Sequence, residues 1–289
     1  MLMESPAALR GAARVSKTGA AATMLLVVLS GMGVAAGLWK LLGIAWTAFA
    51  AMGGGAWLGR SASSGHARGL VWSYGLASGA MMTSCAIFLV PPAIDYAATA
   101  GGFGVAVGLV AGFGVHTAGH RLTHRDGLLL DPSVVELTAH ALAAGAVIGV
   151  VYRNMPALGV LLGLALVSHK GPAGYAAACR LARRKRPAGV LLVPAAAVGL
   201  TALPAGLLAL PANPTLNAFV SGFAAGIFLH MAMDFLPRCE VGGGVYEATG
   251  LAGAEQGRAH RRLDRLRLHA VASTALGGAL VPALWGLVA

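Results

Sequence analysis

The stretch "LGLALVSHKGPAGYAAACR", residues 162–180, reads as a membrane span, yet it carries His169, Lys170 and Pro172 near its middle. About 20 apolar residues in an α-helix cross the ~30 Å hydrocarbon core of a bilayer. An ionisable side chain at the bilayer centre costs ~2.5–3.5 kcal/mol, and proline removes a helical hydrogen bond. We therefore expect a kinked spanning helix whose polar residues serve an ion path, with a simple packing kink as the alternative.

The rest of the chain has the composition of a membrane protein. Apolar residues make up 57% and charged residues only 11%, against about 25% charged in soluble domains. This composition predicts an all-α, polytopic membrane helix bundle. Nine apolar runs of spanning length lie at 20–38, 41–59, 69–91, 99–118, 133–152, 157–179, 187–208, 216–236 and 269–288.

The cationic residues predict how these runs are oriented. Eighteen of the 21 lysines and arginines lie in the N-terminal segment and in every second loop, whereas the alternate loops hold only Lys40 and Arg153. Cytoplasmic loops are enriched in these residues. We therefore expect a cell-membrane, multi-pass protein with residues 1–18 as a basic cytoplasmic tail, residues 19–289 as the transmembrane domain, and the C-terminus outside. The net charge of +11 is then a topology signal, and nucleic acid is not an expected partner.

The first run, 20–38, has a second interpretation. A basic tail, an apolar core and the small residues Val34, Ala35 and Ala36 also resemble a signal peptide. The apolar core is long for a signal peptide, so we favour a retained first helix. The other eight helices keep their orientation in either case.

Small residues predict close helix packing. The chain has 42 glycines, and small residues let helix backbones approach each other in lipid. The spacing of four recurs in several places: Gly104, Gly108 and Gly112; Gly159 and Gly163; Gly222 and Gly226. The three cysteines lack CxxC spacing, so we interpret them as free thiols.

Two pairs of polar residues have helical spacing inside the spans. Glu136 and His140 are four residues apart, as are His230 and Asp234, so each pair shares a helix face. An imidazole with a carboxylate is half of a tetrahedral zinc site, because zinc accepts nitrogen and oxygen ligands. The alternative is a hydrogen-bonded pair that helps two helices associate.

Three further histidines recur every four residues towards the predicted cytoplasmic loop 119–132. His116, His120 and His124 form a strip that could accept a metal. A solvated loop with chance histidines explains the same pattern equally well.

Four motifs together resemble the ZIP family of zinc- and iron-regulated transporter-like divalent-metal transporters, over roughly residues 69–289. "HALAAGAVIG" from His140 is similar to the family's fourth core helix, and "HKGPAG" from His169 to its fifth. "SCAIFLVPPA" from Ser84 and "HMAMDFLPR" from His230 look like the ends of its second and seventh core helices. The resemblance implies eight core helices, preceded here by one extra N-terminal helix.

The resemblance also implies a function. It predicts transport of a divalent metal ion, zinc first with iron or manganese as alternatives, by alternating access, with no enzymatic activity and no organic cofactor. Its metal ligands fall on His140 and His169. Lys170 would stand in for a second metal ion, so one metal is expected. Expected partners are the metal ion and the lipid bilayer, and a homodimer is left open. Other metal and pathway candidates are Glu136, His230, Asp234, Pro172, Ser84 and Gly145.

The chain departs from the family pattern where the family has metal-binding carboxylates. Ala144 and Ala173 occupy two such positions, so two imidazoles remain of the primary site. Glu136, one turn before His140, is our hypothesis for the missing oxygen ligand. The departures leave a second function open, a transport-inactive homologue that acts as a membrane metal sensor or scaffold. An intramembrane metalloenzyme is disfavoured because no HExxH motif is present.

Overall fold

The computed structural model describes residues 16–60, 67–123, 132–155, 160–184, 186–208, 211, 213–237, 239 and 256–288. The described chain contains helices and turns but no strand. The first five helices are α1 (Lys17–Ala35), α2 (Trp39–Gly59), α3 (Ala67–Ser84), α4 (Val90–Thr123) and α5 (Pro132–Asn154). The other five are α6 (Val160–Val167), α7 (Lys170–Arg183), α8 (Leu192–Ala205), α9 (Pro214–Asp234) and α10 (Gln256–Val288).

Length and composition make the chain a multi-pass membrane protein. Within the described residues, six segments are long and apolar enough to cross a membrane: Lys17–Ala35, Trp39–Gly59, Ala67–Val115, Ala188–Ala205, Pro214–Asp234 and Leu263–Leu287. Large apolar side chains such as Val28, Phe103 and Val110 point outwards, as expected for helices surrounded by lipid.

The 49-residue segment Ala67–Val115 is more than twice the length of one crossing. The helix first passes through a π-helical turn at Cys85–Leu89, where the Val90 N–H donates to the Cys85 carbonyl. Pro91 and Pro92 follow, and neither has an N–H to donate. Helical structure nevertheless continues to a break at Ala97, with φ −168° and ψ 98°. The predicted helix end at residue 91 is therefore six residues early.

The chain reverses its direction at Ala97. Tyr74 packs against Phe235 and the Ser78 hydroxyl donates to the Ala232 carbonyl at 2.6 Å, so α3 runs antiparallel to α9. Beyond the break, α4 runs parallel to α9, since Gly104 meets Phe219 and Gly112 meets His230. The two arms of the 49-residue segment thus form an antiparallel hairpin.

Glycines bring α4 and α9 into backbone contact. A Cβ atom on Gly108 would overlap the carbonyl oxygen of Phe223, and one on Gly226 would overlap the carbonyl oxygen of Val105. Gly222 meets the carbonyl of Gly101 in the same way. The glycines with spacing of four in these two helices therefore pack against each other, as small-xxx-small motifs do in membrane helices.

Three other helix pairs are parallel and packed through small residues. In the pair α2 and α7, Gly55 meets Gly171 and Gly59 meets Tyr175. In the pair α5 and α8, Gly145 meets Val198 and Gly149 meets Ala202. In the pair α3 and α10, Gly75 meets Ser273 and Gly79 meets Gly278.

The main core lies where α1, α2, α3, α5, α8 and α9 meet. Leu26, Ile44, Met81, Ile148 and Phe228 are each 1% exposed or less and belong to one cluster. A short turn joins α1 to α2, and Gly37 adopts φ 70° there, a left-handed conformation that glycine tolerates best.

Two helices extend beyond their predicted apolar runs. The helix α4 continues to Thr123, inside the predicted loop 119–132, and α10 begins at Gln256, 13 residues before the predicted start. The early part of α10 is amphipathic: Leu263 and Leu266 are buried against Ala67, Val71 and Cys239. Most of the predicted tail 1–18 and residues 124–131 of the loop lie outside the described residues.

Removal of the Tyr152 hydroxyl should destabilise the bundle. This hydroxyl accepts a hydrogen bond from the Gly163 N–H at 2.7 Å, and the bond is buried. The variant Tyr152→Phe removes this buried hydrogen bond, so we expect the free energy of unfolding to fall by about 0.5–1.5 kcal/mol. Unfolding in mixed detergent micelles measures the loss. The control is Tyr96→Phe, whose side chain is 47% exposed, and equal stability of the two variants would contradict this role.

Candidate metal site at a broken helix

The span predicted at residues 157–179 is broken in the middle. The helix α6 ends at Val167, Ser168 and His169 form a turn, and α7 begins at Lys170. The Ala173 N–H donates to the His169 carbonyl at 3.0 Å, which starts the new helix. Pro172 lies in the first turn of α7, where its missing N–H costs no helical hydrogen bond. The break therefore precedes the proline, and it places His169 at the junction of two helices.

The break brings His169 against His140 of α5. The helix α5 runs antiparallel to α6 and α7, because Tyr152 contacts Gly163 at one end and His140 contacts His169 at the other. The two imidazole rings are 5.7 Å apart between centroids and almost perpendicular, at 89°. His169 is 1% exposed and His140 is half-buried. Two imidazole side chains from separate helices thus meet inside the bundle.

An aromatic cluster covers the two histidines. Phe235, at the C-cap of α9, lies 4.8 Å from His169 and 5.9 Å from His140 between ring centroids. Tyr74 of α3 packs on the other side of Phe235 at 5.5 Å. The sequence did not predict this cluster. In the sequence, the one indication was that Phe235 directly follows the candidate Asp234. Nothing in the neighbouring residues indicates that the C-terminal end of α9 packs against α5 and α7.

Two alanines stand where the resemblance to the ZIP family implies metal-binding carboxylates, and both are buried. Ala144 is 1% exposed and Ala173 is 2% exposed, so both positions are enclosed by neighbouring residues. Lys170, directly after His169, is 1% exposed. The interior beside the histidines is therefore tightly packed and includes a lysine side chain.

The side chains of the second predicted pair, His230 and Asp234, are in contact within α9. The distance from His230 Nε2 to Asp234 Oδ2 is 3.2 Å, and the side chains are 14% and 26% exposed. His230 lies over Gly112 and 6.4 Å from the ring of Phe113 in α4. The glycine leaves room for the imidazole between α4 and α9. This pair therefore lies in the α4–α9 interface.

The remaining candidates are placed only in part. Ser84 is completely buried at the end of α3, and Gly145 packs against Val198 of α8. Glu136 lies on α5 one turn before His140, and His116 and His120 lie near the end of α4. The structure describes the backbone of these three residues but not their side chains. His124 is outside the described residues altogether.

The described part of the chain holds no group of three or more His, Cys, Asp or Glu side chains that could surround a metal ion. Two imidazoles offer half of a tetrahedral set, and the other positions would fall to water or to a group such as Glu136. Comparison with protein-family models and with curated proteins found no match to this chain.

Proposed function

We propose that this protein carries a divalent metal ion, zinc first and iron or manganese as alternatives, across the cell membrane. The observation that carries this proposal is the meeting of His140 and His169 at a broken membrane helix. Imidazole nitrogen is a preferred ligand of zinc, and transporters place their ion sites at interrupted helices near the bilayer midplane. The resemblance to the ZIP family points to the same residues.

The directions of the helices support a bundle of nine crossings, eight core helices and one extra N-terminal helix. Ala97 divides the longest segment into two crossings, α6 and α7 together make one, and α5 makes one. If the crossings are numbered in chain order, each parallel packed pair consists of two odd-numbered or two even-numbered crossings. The pairs are α2 with α7, α5 with α8, α3 with α10, and α4 with α9. This pattern is required if successive crossings run in opposite directions through the bilayer. An N-terminus in the cytoplasm follows from the distribution of lysine and arginine.

The proposed mechanism is alternating access. The break at Ser168–His169 lets α6 and α7 move as separate units, and the glycine contacts of α4 with α9 offer smooth surfaces for a rigid-body shift. His140 and His169 hold the metal while one side closes and the other opens. The His230–Asp234 pair, between α4 and α9, offers one nitrogen and carboxylate oxygens for an ion that passes along that interface. Acid should weaken binding, because protonated imidazole cannot bind a metal.

The absence of carboxylates at Ala144 and Ala173, together with the buried Lys170, favours a second candidate function. A bundle that keeps two imidazoles but adds a cation beside them binds a divalent ion less tightly than one with acidic ligands. Such a homologue would sense metal or act as a membrane scaffold without transporting it. The outcome of a transport assay separates the two functions.

Uptake of zinc-65 into proteoliposomes tests the proposal. We expect uptake by the wild type, a loss of roughly tenfold or more in the double variant His140→Ala/His169→Ala, and no change in His269→Ala. His269 is a matched control because it accepts a hydrogen bond from Trp72 at 3.3 Å in the α3–α10 pair, away from the proposed site. No uptake of zinc, iron or manganese by folded wild type would overturn transport and favour the sensor or scaffold.

A further inference from the structure

Two exposed arginines lie where the apolar parts of the parallel helices α3 and α10 begin. The apolar segments Ala67–Val115 and Leu263–Leu287 each have one of these arginines, Arg68 and Arg265, close to their first residue. The side chains of both arginines are exposed. An arginine near the end of a membrane helix extends its charged group to the level of the lipid headgroups. Both guanidinium groups therefore belong to the surface of the membrane and not to its interior.

The backbones of the two arginines are held together by a buried contact between their neighbours. Ala67, directly before Arg68, is 3% exposed, and it packs in one apolar cluster with Leu266, directly after Arg265. The axes of packed helices lie ~8–10 Å apart. Each arginine has a long, flexible stem, so the two guanidinium groups can reach one ligand from adjacent helices.

A contact one turn further along shows that the two arginines border the same cleft. The Trp72 Nε1–H donates to His269 Nδ1 at 3.3 Å, and the two rings are 6.1 Å apart between centroids. Arg68 is four residues before Trp72, and Arg265 is four residues before His269. Each arginine therefore shares a helix face with one member of this contact. Because α3 and α10 are parallel, both arginines lie on the same side of the helix pair.

The described residues provide no acidic partner for the two arginines. Asp264 is adjacent to Arg265 in the sequence, but its carboxylate accepts a hydrogen bond from Arg267 at 2.9 Å. Neither Arg68 nor Arg265 has an ion pair with another residue in the part of the chain that the structure describes. Two like charges that face the same cleft repel each other. The cleft therefore favours an anionic ligand.

We propose that Arg68 and Arg265 bind the headgroup phosphate of an anionic phospholipid. A guanidinium group presents paired N–H donors that match the oxygens of a phosphate, and anionic lipids attract cationic side chains at the membrane surface. Leu268, one turn after Arg265, is 74% exposed and offers an apolar surface to an acyl chain. The site goes beyond the proposed metal transport and does not depend on it.

Native mass spectrometry of the purified protein tests this proposal, with phosphatidylglycerol or phosphatidylcholine added to the detergent micelles. Both lipids contain a phosphate, but only phosphatidylglycerol has a net negative charge. We expect the wild type to retain phosphatidylglycerol in preference to phosphatidylcholine. The double variant Arg68→Gln/Arg265→Gln should retain roughly tenfold less phosphatidylglycerol, because each cation near the surface contributes to the attraction. Arg68→Gln alone should retain several-fold less, and it provides the test if the double variant does not fold.

The matched control is Arg60→Gln/Arg153→Gln. It removes the same amount of charge from two other exposed arginines, one at the end of α2 and one in α5, and it should retain phosphatidylglycerol as the wild type does. Equal losses in the two double variants would overturn the site, because they would show an effect of net charge alone. Equal retention of the two lipids by the wild type would also overturn it. Glycerol phosphate at the concentration of the lipid should not displace phosphatidylglycerol, and displacement would assign the cleft to a soluble phosphate ester instead of a lipid.

Discussion

Replacement of either His140 or His169 by alanine should weaken zinc binding by the purified protein by roughly 100-fold or more. Loss of a group that only supports a metal ligand already costs about 10–100-fold in affinity, and these two imidazoles are the proposed ligands themselves. They belong to different helices and meet at 5.7 Å, so each variant leaves a single protein nitrogen at the site. Titration calorimetry measures the affinity of each variant.

Two further variants make this binding experiment specific. The variant His269→Ala removes a histidine from the α3–α10 pair and should leave the affinity unchanged. Glu136→Gln tests the hypothesis that Glu136 supplies the oxygen ligand, because glutamine keeps the size of the side chain without its charge. Unchanged affinity in Glu136→Gln would remove that residue from the site. Unchanged affinity in both histidine variants would remove the site itself.

Replacement of Gly108 by leucine should prevent α4 from docking onto α9. A Cβ atom at Gly108 overlaps the backbone carbonyl of Phe223, and a backbone cannot move aside as a flexible side chain can. Overpacking of an ordinary core costs about 1–3 kcal/mol, and separation of two helices in backbone contact should exceed that range. We expect little monodisperse protein after purification and a much lower unfolding midpoint.

The control for this prediction lies on the same helix. Among the described residues, no neighbouring atom lies within 4 Å of the place that a Cβ atom on Gly102 would occupy. Gly102→Leu therefore adds the same side chain to the outer face of α4, and it should be purified with nearly wild-type yield and stability. Equal stability of Gly102→Leu and Gly108→Leu would contradict the packing of α4 against α9 described above.

Hydropathy in the sequence predicted a helical membrane protein, because apolar content is a property of local composition, and the described chain is helical with six segments long and apolar enough to cross a membrane. Residues 162–180 are interrupted as predicted, although the break lies at Ser168 and His169 and not at Pro172. The glycines spaced by four in α4 and α9 do mediate close packing. The i, i+4 relation of His230 and Asp234 was correct, as their 3.2 Å contact shows. Each of these features is encoded within one helix or one short segment.

Features that depend on neighbouring helices could not be predicted in the same way. The first turns of α10 are polar and would lie outside the lipid, so a search for apolar runs misses them, although Leu263 and Leu266 are buried there. Phe235 covers the two histidines only because α9 ends above α5 and α7. Its position follows from how three distant segments pack, and no local pattern in the sequence contains that information.

X-ray absorption at the zinc edge, on purified protein loaded with one equivalent of zinc, shows whether His140 and His169 bind the metal. We expect two imidazole nitrogens at about 2.0–2.1 Å from the metal, and we expect their signal to disappear in His140→Ala/His169→Ala. A zinc environment without imidazole, or one that is the same in the wild type and the double variant, would contradict the proposed site.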